Sequence, residues 1–120
     1  MKTITLVSAA LLIVTAALAA EPAKKEGKIY TDQNGMTLYT FDKDEKNKSN
    51  CYDDCAKNWP PFMAPADAKA EDEWTVVERT GGAKMWAYDG KPLYTFIKDA
   101  KKGDMAGEGA GGVWHTAKAD

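Results

Sequence analysis

Five short stretches of the chain are rich in apolar and β-forming residues, and turn-forming or charged residues separate them. They cover residues 28–31, 38–41, 74–79, 85–88 and 113–116. Asn34-Gly35 follows the first stretch and Asp89-Gly90 follows the fourth. Asn-Gly and Asp-Gly pairs are the strongest short signals of a β-hairpin turn. The pattern therefore predicts a mainly β fold built from hairpins.

Residues 51–58, CYDDCAKN, break this pattern. They predict a short helix that ends before Trp59, because Pro60 and Pro61 disfavour its continuation. An acidic, alanine-rich stretch at residues 64–73 predicts a connector. Residues 20–27 predict a disordered lead-in.

The chain contains an internal repeat. A shift of 55 residues places LYTFDKD at 38–44 on LYTFIKD at 93–99. Within these copies the shift superposes Tyr39 on Tyr94 and Asp44 on Asp99, and beyond them it superposes Trp59 on Trp114. Two copies are too few for a solenoid. We therefore predict two pseudo-symmetric, hairpin-based repeats, 28–63 and 74–120, packed as one small domain.

The doubled motif is interpreted as a folding unit rather than as two active sites. Along an extended strand, Leu38 and Leu93 face one side, and the Tyr and Phe of each copy face the other. A buried Tyr needs a partner for its hydroxyl group. The trailing Asp is one candidate, because a turn after Phe can bring its carboxylate back toward the strand. Alternatively, that Asp bonds backbone N–H groups in its own turn.

The four tryptophans could line a binding surface or fill the core. Trp59 and Trp114 occupy equivalent positions, so we predict both in the core. Trp86 and Tyr88 lack aromatic counterparts at the same offset. They are therefore the better candidates for an exposed patch.

The first 19 residues have the features of a cleaved signal peptide. Lys2 precedes an uncharged apolar run, and Ala17 and Ala19 form an A-x-A cleavage pattern. The run is too short for a membrane anchor. We expect cleavage after Ala19, a mature chain of 101 residues (120 minus 19) without a transmembrane anchor, and a periplasmic or secreted location.

Charge and motif content exclude several classes of function. Lys2 is the only charge that cleavage removes, so the formal net charge changes from −2 to −3. Both signs are interspersed, which argues against a nucleic-acid or anionic-membrane footprint. His115 is the only histidine, and neither a Gly-x-Ser-x-Gly nucleophile nor a glycine-rich phosphate loop occurs. Residues 42–46 fail the EF-hand calcium pattern. We therefore predict no catalysis and no cofactor.

Cys51 and Cys55 are the two cysteines, and in an oxidising compartment a disulfide is the default. On one helical turn, residues i and i+4 lie roughly 6 Å apart at Cα, within disulfide reach. The alternative is a metal or redox site that adds the distant His115. Thiolate and imidazole ligands suit copper or zinc.

These features together resemble a bacterial family of secreted repeats of unknown function, which includes predicted lipoproteins with a tandem Y-x4-D motif. The motif here is Tyr39…Asp44 and Tyr94…Asp99. The Cys-x3-Cys followed by Trp-Pro-Pro, and a glycine-rich segment ending in Val-Trp, also match. Unlike many members, this chain lacks a lipid-attachment cysteine. The resemblance implies a location and a repeat architecture, but no activity.

The sequence thus favours a secreted or periplasmic, non-catalytic repeat domain of unknown specific function, a binding or envelope-associated module whose partner is an unknown ligand or envelope protein. The alternative is a periplasmic protein that handles metal (copper) or redox chemistry through Cys51, Cys55 and His115.

Overall fold

The computed structural model describes residues 21–119, so the predicted signal peptide and Ala20 lie outside the described residues. Within that range the chain is mainly β, with one short helix, and it forms a single small domain, which confirms the predicted fold class. Its elements are β1 (Lys24–Glu26), β2 (Ile29–Thr31), β3 (Tyr39–Phe41), α1 (Asp54–Asn58), β4 (Trp74–Glu78), β5 (Lys84–Tyr88), β6 (Lys91–Pro92), a 3₁₀ turn (Ala110–Gly112) and β7 (Trp114–Thr116).

The two repeats meet at their equivalent tyrosines. The N–H of Tyr39 donates to the carbonyl of Tyr94 at 2.7 Å, and the N–H of Tyr94 donates to the carbonyl of Tyr39 at 2.9 Å. The two residues thus form a closed antiparallel pair. Because they are equivalent in the repeat, a pseudo-twofold axis passes between them.

Each repeat gives its last strand to the other repeat. β7 pairs with β3, with Thr40 opposite His115. In the same way, the first repeat's segment at residues 58–62 lies against the second repeat's 93–97: Thr95 N–H donates to the Pro60 carbonyl, and Phe62 N–H donates to the Leu93 carbonyl. The remaining ladders join β1 to β2, and β4 to β5 to β6. The repeats are therefore interlocked rather than side by side.

The two predicted hairpin turns differ in length. Asp89 and Gly90 both have positive φ, 51° and 76°, as a two-residue type I′ turn requires. At the first turn, Asp32 N–H donates to the Met36 carbonyl around a three-residue loop in which Gly35 has φ 85°. The first loop therefore holds one extra residue.

Because of the extra residue, the counterparts of residues that precede the turn differ by one position from those of a gapless alignment. Leu38 N–H donates to the Tyr30 carbonyl at 3.0 Å, and Leu93 N–H donates to the Trp86 carbonyl at 3.0 Å. The counterpart of Trp86 is thus Tyr30, and not Thr31 as a gapless alignment implies. An aromatic residue occupies this place in both repeats.

The core consists of two clusters on the two faces of the motif strands. Tyr39 and Tyr94 lie in one cluster, and Leu38 and Leu93 lie in the other, and all four side chains are fully buried. This division follows the alternation of an extended strand, as predicted from the sequence. Trp59 and Trp114 are buried in the tyrosine cluster.

Two expectations about the surface are corrected. The lead-in predicted as disordered over 20–27 forms β1 at Lys24–Glu26, because its backbone pairs with β2. Trp86 and Tyr88 are not an exposed patch: both are half-buried and pack against the leucine cluster, with Tyr88 5.1 Å from Trp74 between ring centroids.

The disulfide predicted between Cys51 and Cys55 is present, with 5.2 Å between the Cα atoms. It ties the start of α1 to the segment before it. A disulfide stabilises mainly by restricting the unfolded chain, and the closed loop is very short.

We expect replacement of both cysteines by alanine to lower the free energy of unfolding by about 2 kcal/mol or less, because the loop is so small. Urea denaturation of the oxidised wild type and the double variant measures the difference. Two free thiols in native oxidised protein, or a much larger loss, would contradict this account.

Candidate functional site

The doubled Tyr and Asp form two crossed hydrogen bonds between the repeats. The hydroxyl of Tyr39 donates to Oδ2 of Asp99 at 2.7 Å, and the hydroxyl of Tyr94 donates to Oδ2 of Asp44 at 2.6 Å. The partner of each tyrosine is therefore the aspartate of the other copy, not the one that follows it in its own copy. The interlocked strands explain this, because they carry each Tyr into the opposite repeat.

The second oxygen of each carboxylate holds a loop of its own repeat. Oδ1 of Asp44 accepts from the N–H of Asn50 at 2.7 Å, and Oδ1 of Asp99 accepts from the N–H of Ala106 at 2.9 Å. Each aspartate thus combines both kinds of bond that the sequence left open, but its tyrosine belongs to the other copy and not to its own strand. We call these four residues, Tyr39, Asp44, Tyr94 and Asp99, the crossed lock.

Burial determines the protonation of the crossed lock. Burial, and then the hydrogen bond to the carboxylate, raise the pKa of both tyrosines far above the usual range, so both remain donors. Burial also raises the pKa of Asp44, against the hydrogen bonds that it accepts from Tyr94 and Asn50. Both phenol rings are fully buried and Asp99 is buried, so Asp44 is the one residue of the crossed lock that is partly exposed.

Four aromatic rings stack in a row beside the crossed lock. Phe41 stacks on Trp114 at 4.2 Å, Trp114 on Trp59 at 3.8 Å, and Trp59 on Phe96 at 4.0 Å between ring centroids. Each repeat contributes one Phe and one Trp, and the central Trp59–Trp114 contact lies on the pseudo-twofold axis. Tyr39 packs its edge against Trp59, and Tyr94 against Trp114. Trp59 and Trp114 therefore pack the two repeats against each other.

Gly107 is required by this packing. A Cβ at this position would lie 2.6 Å from the Trp59 ring, closer than real contacts allow. Its N–H donates to the Tyr39 hydroxyl oxygen at 3.2 Å. The glycine-rich segment thus contains one glycine fixed by close approach.

A buried arginine is the residue that the sequence reading missed. Arg79 is 8% exposed and donates to the Cys51 carbonyl at 2.6 Å and to Ser49 Oγ at 2.9 Å. Ser49 Oγ lies 2.6 Å from the Tyr94 hydroxyl, and the Tyr52 ring covers the guanidinium at 4.2 Å. Arg79 therefore joins the disulfide segment to one half of the crossed lock. The sequence did contain a signal for this residue, because Arg79 is the chain's one arginine and stands at the end of an apolar strand.

His115 does not join the cysteines. Its Nε2 lies 2.9 Å from Asp42 Oδ2 and its Nδ1 lies 3.3 Å from Glu108 Oε2, while Cys51 and Cys55 are bonded to each other. Between residues 21 and 119, no group of three or more His, Cys, Asp or Glu side chains is arranged to hold a metal ion. The geometry therefore does not bring together the ligands that the metal alternative needs.

A cleft of about 300 Å³ opens beside His115. Leu93 and Ala117 form an apolar floor, and Tyr88 lines the same cleft. Charged side chains complete the lining, namely Asp42, Asp89, Lys91, His115 and Lys118. We call this the His115 cleft. A second, apolar groove of about 340 Å³ follows the edges of Trp59, Trp114 and Phe96.

The charges of the His115 cleft occur on one side of the pseudo-twofold axis only. Their counterparts in the other repeat, read from the paired backbones, are Ile97, Asn34, Met36, Pro60 and Met63. None of these counterparts is charged. The cleft is thus a place where the two repeats differ in charge.

The family model of a secreted repeat of unknown function matches residues 23–63 and 75–118. The chain belongs to this family. No curated protein and no solved structure shows significant similarity to it.

The two family copies end with the two exchanged segments, residues 58–62 and β7. The crossed lock and the ring stack take equal parts from both copies, so they belong to the repeat itself. Arg79 lies in the second copy only, and the first copy has no equivalent arginine. The His115 cleft takes residues from both copies, such as Asp42 and His115, but its charges occur on one side of the pseudo-twofold axis. No helix in the described part of the chain is long and apolar enough to cross a membrane.

The crossed lock makes a specific prediction for double-mutant cycles. Removal of a charge-assisted hydrogen bond costs about 1.5–3 kcal/mol, so Tyr39→Phe and Asp99→Ala should each lower the free energy of unfolding by an amount of this order. Together they should be non-additive by about 0.5 kcal/mol or more, and so should Tyr94→Phe with Asp44→Ala. Urea denaturation measures all variants.

The matched control pairs residues within one copy, such as Tyr39→Phe with Asp44→Ala, which should be additive. Asp44→Ala should cost less than Asp99→Ala, because Ser49 can still accept from Tyr94. Coupling within a copy, and none between copies, would refute the crossed arrangement.

His115 predicts a pH-dependent contribution to stability. The hydrogen bond to Asp42, and then the contact with Glu108, outweigh partial burial and raise the pKa of His115 above its usual value. A group whose pKa is higher in the folded than in the unfolded protein stabilises the fold fully at pH values below its unfolded pKa, which is about 6.5 for histidine. This stabilisation is lost as the pH rises through the folded pKa. The effect should be about 1 kcal/mol or less, since half-exposed pairs are screened.

The ring-proton NMR titration of His115 gives its pKa directly, because it is the chain's only histidine. We expect Asp42→Asn to lower that pKa, and Ile97→Asn, at the counterpart position, to leave it unchanged. An unchanged pKa in Asp42→Asn would show that the pair does not form in solution.

Proposed function

We propose that this secreted repeat protein is a non-catalytic binding module of the bacterial periplasm or envelope, and that its ligand occupies the His115 cleft. One observation carries the proposal: pseudo-symmetry is kept in the crossed lock and is broken by charge at the cleft. A repeat that serves only folding has no need of this difference.

The motif residues are poor candidates for ligand contact because their polar atoms are already used. Both tyrosine hydroxyls and all four oxygens of Asp44 and Asp99 accept or donate within the protein. The His115 cleft offers the opposite: exposed lysines and carboxylates around an apolar floor. Its volume lies at the lower end of small-ligand sites, which suits a small molecule or the end group of an envelope polymer.

The state of His115 supports binding rather than catalysis. A general base needs a free ring nitrogen, whereas both nitrogens of His115 face carboxylates that favour the protonated ring. Thr40 also lines the cleft, but no base is paired with its hydroxyl group among the described hydrogen bonds. Charge is therefore available to orient a ligand, without a base and nucleophile pair.

Amide NMR titration of the mature protein with soluble peptidoglycan fragments tests the proposal. We expect shifts confined to the cleft, and a loss of affinity of about tenfold or more in Lys91→Gln/Lys118→Gln, since contacts to charged groups contribute about 1.5–3 kcal/mol each. Met36→Gln/Met63→Gln, at the counterpart positions, is the matched control and should bind as wild type.

Shifts confined to the apolar groove, or equal losses in both double variants, would contradict the cleft as the binding site. Titration of oxidised and reduced protein with Cu²⁺ addresses the alternative function. Saturable binding that requires Cys51, Cys55 and His115 would favour metal handling instead.

A further inference from the structure

We propose that β7 can be exchanged between two copies of this chain, giving a closed strand-swapped dimer in which both chains line each His115 cleft. The partner is a second copy of the same protein. The inference is independent of what the cleft binds, because it rests on strand pairing and on one hinge.

The surface that receives β7 belongs to the other repeat. β7 pairs with β3 and extends this contact beyond the strand, where Ala117 N–H donates to the Leu38 carbonyl at 2.8 Å. Trp114 fills the middle of the ring stack through contacts with Phe41 and Trp59. Every one of these contacts can form equally well with the β3 of a second copy.

A glycine hinge connects β7 to the fixed part of its own chain. Gly107 is held against Trp59, but Gly109, Gly111 and Gly112 are exposed and have φ of 77°, 57° and 74°. A Cβ at Gly109 or Gly112 would meet no atom within 4 Å. Ala110 and Val113 also pack against the tyrosine cluster, so a change of chain direction after Glu108 falls to the exposed Gly109, Gly111 and Gly112.

The other repeat has no such hinge at the same place. A shift of 55 places residues 109–112 on residues 54–57, which lie in α1 and include Cys55 of the Cys51–Cys55 disulfide. A helix closed by a disulfide cannot redirect the strand that follows it. The asymmetry of the two linkers thus makes β7 the exchangeable strand and residues 58–62 the fixed segment.

Backbone bonds across the hinge oppose its opening in the monomer. Gly109 N–H donates to the Trp114 carbonyl at 2.8 Å, and Val113 N–H donates to the Ala110 carbonyl at 3.1 Å. Opening loses these bonds, while the swapped dimer regains all contacts of β7. Exchange should therefore depend on concentration and be slow, since Trp114 must leave the core first.

Glu108 would recognise the incoming strand. Its carboxylate accepts from the Thr116 hydroxyl at 3.2 Å and lies 3.3 Å from His115, although it precedes the hinge. In the swapped dimer, Glu108 and Asp42 of one chain hold His115 of the other. Each cleft then combines Asp42 from one chain with His115 and Lys118 from its partner.

Mixing two single-cysteine variants tests the exchange in the full mature chain. Thr40 and His115 are directly opposed in the β3–β7 ladder, where Cα atoms lie about 5.5 Å apart, within disulfide reach. Thr40→Cys and His115→Cys chains, mixed at high concentration under mild oxidation, should give a disulfide-linked heterodimer. Thr95→Cys, at the counterpart of Thr40, mixed with His115→Cys should give at least tenfold less.

Equal cross-linking of the two mixtures, or none in either, would overturn the proposal. Deletion of Gly111 and Gly112 supplies a second test, because the shortened hinge prevents β7 from folding back. Light scattering should then show a dimer at concentrations at least tenfold below those that the wild type needs. A folded monomer would refute the hinge, and if the deletion does not fold, the cysteine mixtures decide.

Discussion

The fold depends on two tyrosine hydroxyl groups that find their acceptors in the opposite repeat. Tyr39 and Tyr94 are fully buried, and a buried hydroxyl without an acceptor costs free energy. Each is satisfied by the aspartate of the other copy, and neither repeat contains the bond alone. The repeats therefore depend on each other. The exchanged strands and the Trp59–Trp114 stack likewise join one residue or strand of each repeat to the other.

Duplication explains why the protein needs so little regular secondary structure. Its strands are two to five residues long, which is short even for β proteins. Large aromatic side chains compensate, since each buries a large apolar area and the four stacked rings join both repeats. The disulfide and Arg79 support the segment that carries one side of the joint.

The positions at which the two repeats differ lie outside the symmetric core. Asp42 and His115 form an ion pair where the other repeat has Ile97 and Pro60. The crossed lock would form equally well with either pair, because its atoms lie on the opposite face of the strands. The crossed lock therefore does not require the charges found at the cleft, and we assign them to the binding role proposed above. The glycine hinge before β7, against the disulfide-closed helix of the first repeat, is a second such difference.

The sequence by itself determined the repeat, its hairpin turns, the two faces of the motif strand, the short helix and the disulfide. These features are local: they depend on side-chain alternation, turn chemistry and the spacing of two cysteines. It could not show which Asp meets which Tyr, because both copies carry the same letters and only the pairing of strands distinguishes them. The one-residue difference between the turns, which makes Tyr30 the counterpart of Trp86, was also hidden. Arg79 binds the carbonyl of Cys51, 28 positions away, and His115 pairs with Asp42, 73 positions away in the other repeat. Only tertiary structure decides such contacts, because no local pattern encodes them.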